Sequence, residues 1–213
     1  MLYKGGADLS ENERTTLENI MTVAGEEFLQ KGFQGASLRN IVRKAGVTTG
    51  AFYGHFKSKE DLFDSLVKEQ YLHILEMYQI ILENFREMIP DEQRTCIAEY
   101  TIAEMLHMTN YIYTNFKAFK LILCCSEGTP YENLIHDMAQ MDCEATREFT
   151  KVMNQNGTPM NIVHPQLEHM LTSGMFYAFF EIVVHEIPKE NAEAYIRQLV
   201  DFYEAGWKKI TGF

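Results

Sequence analysis

Between Phe33 and Lys59 the chain carries five cationic side chains, Arg39, Arg43, Lys44, Lys57 and Lys59, and no aspartate or glutamate. Guanidinium and ammonium groups gathered on a short acid-free segment suit one chemistry above others: they neutralise phosphates along a nucleic-acid backbone and release its counterions. Charge elsewhere reinforces this reading. The 213-residue chain has a formal net charge of −11, but residues 1–59 hold eight basic and six acidic side chains, whereas the remainder holds eleven basic and twenty-four acidic. An acidic body cannot lie along DNA, so nucleic-acid contact falls to the N-terminal part alone.

Short helices must position these groups. Ser37 suits an N-cap, its hydroxyl accepting a backbone N–H of the first turn. Leu38, Ile41, Val42 and Ala45 then recur at helical spacing on one face. Gly46 is the residue that ends such a helix in the left-handed conformation at little cost. Val47 plugs the interhelical angle, and Thr48 caps a second short helix expected to turn Ala51, Phe52 and Phe56 inward. Two short helices joined by a glycine turn describe a helix-turn-helix. Upstream, Ser10 to Glu13 has the form of a capping box. It opens a helix whose apolar stripe (Leu17, Ile20, Met21, Ala24, Phe28, Leu29) runs to a cap at Gly32.

The run Gly32-Phe33-x-x-Ala-Ser-Leu-x-x-Ile-Val-x-x-Ala-Gly-Val-Thr-x-Gly-Ala-Phe-Tyr-x-His-Phe-x-Ser-Lys-Glu-x-Leu62 resembles the N-terminal motif of the TetR family of transcriptional regulators. The likeness covers roughly residues 12–63. In a helix-turn-helix the second helix enters the major groove while flanking groups hold phosphates. Thr48, Thr49, Gly50, Tyr53, Gly54 and His55 form the exposed side of that helix. The set lacks the bidentate readers Arg, Asn and Gln, so base readout leans on threonine methyl and hydroxyl groups, with Gly50 allowing close backbone approach and Arg39 adding a contact. Tyr53, His55, Lys57 and the Ser37 hydroxyl are assigned to phosphates. The resemblance implies contact roles for Thr49, Tyr53, His55 and Lys57, while Gly54 departs from it, because a side chain is usual there.

Composition bounds the rest. Hydrophobic residues make up 46% of the chain, enough for a packed core. No apolar run approaches the ~18 residues of a spanning helix and no signal-peptide pattern opens the chain, so a soluble cytoplasmic protein without membrane contact is expected. Cys96, Cys124, Cys125 and Cys143 fit no zinc spacing or disulfide scaffold, and His164, His169 and His185 lack the spacing of a helical metal site. Neither a metal nor a cofactor is expected.

From Ser58 a long helix carries Leu62, Phe63, Leu66 and Val67, then Ile74 to Phe85, toward Pro90. Its length invites a bend near residues 70–73. Further helical patterns span 92–114, 116–125, 131–155, 165–186 and 189–210, punctuated by Gly128-Thr-Pro130 and Asn156-Gly-Thr-Pro159. No stretch alternates with period two. The chain therefore reads as all-α with about nine helices: an N-terminal three-helix helix-turn-helix domain over residues 1–57, and a larger helical ligand-binding and dimerisation domain over 58–213.

In the last two helices, Leu171, Met175, Ala178 and Ile182 form one stripe and Leu199, Tyr203 and Trp207 another. Both stripes are wider than one neighbour needs, which predicts a four-helix homodimer interface; the resemblance implies the same. Gly174 and Ala178 would let helices approach closely there. Met108, Met138 and Met141 join Tyr78, Tyr100, Tyr111 and Phe180 on facing helices as the lining of an adaptable apolar pocket, a role the resemblance supports. Glu104 and His107, at i and i+3, are the candidates for fixing a ligand's polar group.

The reading that results is a ligand-responsive repressor, not an enzyme. It binds a palindromic double-stranded DNA operator as a homodimer and is released by a small apolar or aromatic effector. An activator or partner-binding regulator of the same fold is the alternative. An all-α enzyme using Glu104 and His107 as acid and base ranks below both, since no nucleophile, phosphate loop or metal spacing supports it.

Overall fold

The structure is a computed structural model, and it describes residues 11–212. Ser10, the first residue of the capping box, lies outside them. Among the described residues there are nine α-helices, one 3₁₀ turn and no strand: α1 (Glu11–Gly35), α2 (Leu38–Lys44), α3 (Thr49–His55), α4 (Lys59–Glu87), α5 (Pro90–Thr114), α6 (Phe116–Cys125), the 3₁₀ turn (Pro130–Asn133), α7 (Leu134–Gln155), α8 (Pro165–Val184) and α9 (Lys189–Thr211). The pattern expected over 131–155 thus divides into the 3₁₀ turn, with Pro130 in its first turn, and α7.

Local chemistry accounts for the boundaries. Gly32 takes φ 67° and ψ 170°, a conformation that breaks α1 before its last residues, as a glycine can at small cost. Ser58 Oγ accepts the Asp61 N–H at 3.2 Å, and Glu60 and Asp61 occupy the first turn of α4, where the positive end of the helix dipole favours them. His164 caps α8, its ring nitrogen accepting the Gln166 N–H at 3.3 Å.

No interruption falls near residues 70–73, and α4 runs continuously for 29 residues. One face explains its persistence. Residues at seven-residue intervals along α4 meet successive residues of the 3₁₀ turn and α7, which lies parallel to it. The Tyr131 hydroxyl donates to Asp64 at 2.8 Å, the Tyr71 hydroxyl to Asp137 at 2.5 Å, and Tyr78 to Asp142; Phe85 then meets Phe149 with ring centroids 5.7 Å apart. Burial is the main cause raising the Tyr71, Tyr78 and Tyr131 hydroxyls well above the usual tyrosine range, with the facing carboxylates adding to it. All three therefore remain protonated donors. The seven-residue repeat keeps one seam facing its partner, as in coiled coils, and directional bonds set the axial register of α4.

A single buried cluster runs through the molecule, from Ile20, Phe28 and Phe52 through Phe63 and Ile74 to Phe119, Met138, Phe180 and Val200. The first helix packs on α4 and α6 as well as on α2. At Gly25 of α1 an added methyl would lie only 3.0 Å from Lys117 Cε of α6, so the helices approach there at a residue with no side chain.

Candidate nucleic-acid interface

The turn between α2 and α3 forms as its residues dictate. Ser37 Oγ accepts the Asn40 N–H at 3.4 Å and Thr48 Oγ1 accepts the Ala51 N–H at 3.1 Å. Gly46, at φ 66°, lets the chain reverse, with its N–H on Arg43 O and that of Val47 on Val42 O, both at 3.2 Å. Asn19 of α1 donates to Ala45 O at 2.7 Å and ties down the end of α2. Phe52 and Phe56 are buried as expected, but Ala51 is exposed. A seven-residue helix has room to bury one narrow stripe, and the two phenylalanines fill it.

The five cations divide into two groups. Lys44 Nζ pairs with Glu27 Oε2 at 2.8 Å, and Asn40 Nδ2 donates to the other oxygen at 3.3 Å. The Lys44 hydrogen bond, then that from Asn40, holds the Glu27 carboxyl below the usual carboxylate range. Lys59 Nζ donates to the carbonyls of Phe33, Gln34 and Ala36 at 2.7, 3.4 and 3.3 Å and lies 4.5 Å from the Phe33 ring centre. Both lysines are thus absorbed by the fold, contrary to a segment free of acidic partners: α1 brings Glu27 in from outside it. Arg39, Arg43 and Lys57 are exposed with no ion pair among the described residues, and Arg43 instead donates to Asn40 Oδ1 at 2.9 Å.

The outer side of this unit presents Ser37 and Arg39 from the start of α2, Thr48, Thr49, Gly50, Tyr53 and Gly54 from α3, and Lys57 beyond it, all exposed; His55 is half-buried. The Tyr53 ring is 55% exposed and touches Phe52 edge-on at 5.4 Å, so it stands outside the core. A methyl added at Gly54 would meet nothing within 4 Å, and one at Gly50 only Thr48 Oγ1 at 3.9 Å. Packing within the chain does not require a glycine at either position.

The larger part places its expected residues unevenly. Tyr78, Met108, Met138 and Phe180 are buried, with Tyr111 and Met141 partly so. The Tyr100 hydroxyl already donates to Ile81 O at 2.7 Å, and burial raises its pKa to about 12. Glu104 and His107 pair with each other at 3.6 Å, and His107 is exposed. The pair flanks the stripe that buries Met105 and Met108, with Glu104 half-buried and His107 toward solvent. Two hollows among the described residues are not lined by the expected pocket residues. One, of about 210 Å³, opens between α8 and α9 at Ala178, Ile182, Tyr195 and Leu199. The other, of about 350 Å³, lies among Met21 of α1, Leu66 and Gln70 of α4, and Phe116 to Leu121 of α6.

On α8 and α9, Leu171, Met175, Ala178, Leu199, Tyr203 and Trp207 are partly exposed, but Ile182 is buried within the chain's own core. The outward face instead carries Met170, Tyr177 and Phe202, at 69%, 60% and 73% exposure. Sequence reasoning missed Met170 and Tyr177 because α8 is apolar on nearly every side, and it passed over Phe202 beside Tyr203 on α9. Gly174 makes room for the Tyr203 hydroxyl, 3.0 Å from where its methyl would be, so the close approach it permits is between α8 and α9 of one chain.

Capped short helices around a left-handed glycine, with an outward-facing second helix and free cations at its edges, define a helix-turn-helix protein with a larger helical body. The family model for bacterial regulatory proteins of the tetR family matches residues 20–66, the segment that holds the helix-turn-helix. It is 41% identical over 64 residues to the transposon Tn10 TetC protein of Escherichia coli, a match covering 30% of this chain and 32% of that protein. The chain therefore spans about a third of that relative's length. Over more of its length it is 24% identical to the uncharacterised helix-turn-helix regulator YvdT of Bacillus subtilis, with 87% and 91% covered. In fold it is similar to Salmonella enterica GusR, with a TM-score of 0.55 at 18% identity over 95% of this chain and 100% of that one. Among the described residues no helix is long and apolar enough to cross a membrane.

Proposed function

We propose that the protein is a ligand-responsive transcriptional repressor that binds a palindromic operator as a homodimer. The exposed α3 face carries this reading: Thr48, Thr49 and Tyr53 project from a helix whose core side is satisfied by Phe52 and Phe56, while Arg39 and Lys57 keep uncommitted charges beside it. Thr49 and Gly50 meet base edges, and Ser37, Tyr53, His55 and Lys57 hold phosphates. The Ser37 hydroxyl oxygen serves as cap acceptor while its proton stays available to a phosphate oxygen. The apolar face on α8 and α9 pairs two copies, placing their α3 helices one DNA turn apart, ~34–36 Å. A small apolar or aromatic effector binds the body more tightly in a conformation with the wrong spacing. Operator affinity then falls by the coupling between the sites, and DNA weakens the effector equally. Residues 1–57 serve the DNA and 58–213 the effector and the dimer.

Selection of bound sequences from random DNA, followed by footprinting, tests the reading; recovery of no palindrome would refute it. Lys57→Ala is expected to weaken every sequence alike and to lower the salt slope by about 1. Thr49→Ala is expected to change the preferred bases instead. An unchanged salt slope for Lys57→Ala would remove that phosphate contact from the scheme. Gly50→Ala separates stability from function. Alanine is favoured over glycine in a helix by about 1 kcal/mol, and the free protein has room for it, so the melting temperature should hold or rise while operator affinity falls. Undiminished affinity would show that the backbone at Gly50 does not approach DNA.

A further inference from the structure

The Tyr78–Asp142 bond sits beside a concentration of buried polar groups. Glu168 of α8 is only 4% exposed, and Thr172, one turn further, is 1% exposed. Beside them on α7 stand Asp142 and the buried Cys143 thiol. Charge is not balanced here. Glu168 is paired with Arg147 Nε at 2.8 Å, and that guanidinium is half in solvent; Asp142 has only hydroxyl neighbours, Tyr78 and Thr172. Burial pushes the Asp142 carboxyl above the usual range, with the Glu168 charge adding to that against the two hydroxyls. The Thr172 hydroxyl lies close enough to Asp142 and Cys143 to favour their ionised forms, yet its geometry completes a hydrogen bond with no partner. An unsatisfied buried hydroxyl costs about 1–3 kcal/mol, and the half-buried Asp142 carboxylate has no cation beside it. Aromatic surface adjoins the cluster, with the Tyr78 and Phe176 rings edge-to-face at 5.3 Å.

We infer that Asp142, Glu168 and Thr172 form the polar anchor of the effector site, and that the effector is an organic primary ammonium bearing an apolar or aromatic body. The inference rests on the effector reading above and names the ligand's class. Asp142, the Glu168 oxygen not held by Arg147 and the Thr172 hydroxyl oxygen can each accept, which matches the three N–H donors of one ammonium. The Tyr78 and Phe176 ring faces suit a cation and its apolar body. Asp142 is itself partly exposed, which gives the cation a way in, and the strongly acidic body draws cations toward it. An ammonium on Asp142 replaces the Tyr78 hydroxyl there. Tyr78 belongs to α4, so binding opens one rung of the contact that sets the register of the helix leading to the DNA-binding unit.

The test uses the full-length protein and three probes of one shape: 2-phenylethylammonium, neutral 2-phenylethanol and anionic phenylacetate. Calorimetry at neutral pH should show the ammonium binding at least about tenfold more tightly than the other two, a difference of about 1.4 kcal/mol. Asp142→Asn should abolish that preference. Because Asp142→Asn also alters the Tyr78 bond, Thr172→Val serves as the second variant. Removing an unsatisfied hydroxyl should leave the melting temperature unchanged or higher while still weakening the ammonium several-fold. No binding of the ammonium, equal binding of the alcohol, or full ammonium affinity in both variants overturns the assignment. If the ammonium binds through Asp142 but leaves operator affinity unchanged, the site stands and the effector reading falls.

Discussion

A Tyr177→Asp, Phe202→Asp double variant is expected to run as a monomer in light-scattering chromatography and to lose operator affinity by about 10²–10⁴-fold. Both residues belong to helices whose other faces are buried: Phe176, Phe179, Phe180 and Val183 on α8, and Ala192, Ile196 and Val200 on α9. The substitutions therefore leave the subunit core intact. What they change is the exposed side of the two helices, where Tyr177 of α8 and Phe202 of α9 are 60% and 73% exposed. The affinity loss follows from geometry. A single helix-turn-helix with few bidentate readers gains most of its grip from phosphates, and the second half-site contributes only when the first holds it nearby. Two carboxylates on each copy of a paired face oppose pairing by desolvation and repulsion. A double variant that still ran as a dimer would place the interface elsewhere. One that became monomeric yet bound a full operator at wild-type affinity would show that the two half-sites act independently.

How much of this was legible in the sequence follows the range of the interactions. Ser37, Gly46, Thr48 and Ser58 act on backbone groups within a few residues of themselves, and the structure places each where its chemistry predicts. Contacts between distant segments were not legible. Lys44 and Glu27 lie 17 positions apart, Lys59 and the Phe33 carbonyl 26, and Tyr71 and Asp137 66; no local pattern links them. Their consequence is functional, since two of five apparent phosphate ligands turn out to be internal ties. The seven-residue spacing of Asp64, Tyr71, Tyr78 and Phe85 was visible, but its polar partners on the 3₁₀ turn and α7 were not. On α8 the failure has another cause. With apolar residues on nearly all sides, periodicity cannot tell the face packed inward from the one presented outward: Ile182 is buried and Tyr177 exposed.

Phe63→Ala is expected to destabilise the whole chain, not one end of it, by about 3–5 kcal/mol, lowering the melting temperature by roughly 6–20 °C. Phe63 is fully buried where the two functional parts meet. Its ring lies 5.0 Å from Phe28 and 5.2 Å from Phe33 of α1, and 6.0 Å from Tyr131, which in turn stacks edge-on with Tyr71 at 5.1 Å. Truncation opens a cavity touching the helix that supports α2 and α3, the long helix α4, and the turn that holds α4 in register. Trp207, the single tryptophan, reports on α9, and amide exchange in α2 and α3 reports on the DNA-binding end. The two should lose structure together in both wild type and variant. Loss of protection in α2 and α3 well below the Trp207 transition would mean that residues 1–57 fold as a separate unit joined only by α4. Coincident transitions would mean that the division between the parts is one of function within a shared core. In that arrangement a shift of α4 at Tyr78 reaches the recognition helix through packed side chains on both sides of Phe63, with no hinge between them to absorb it.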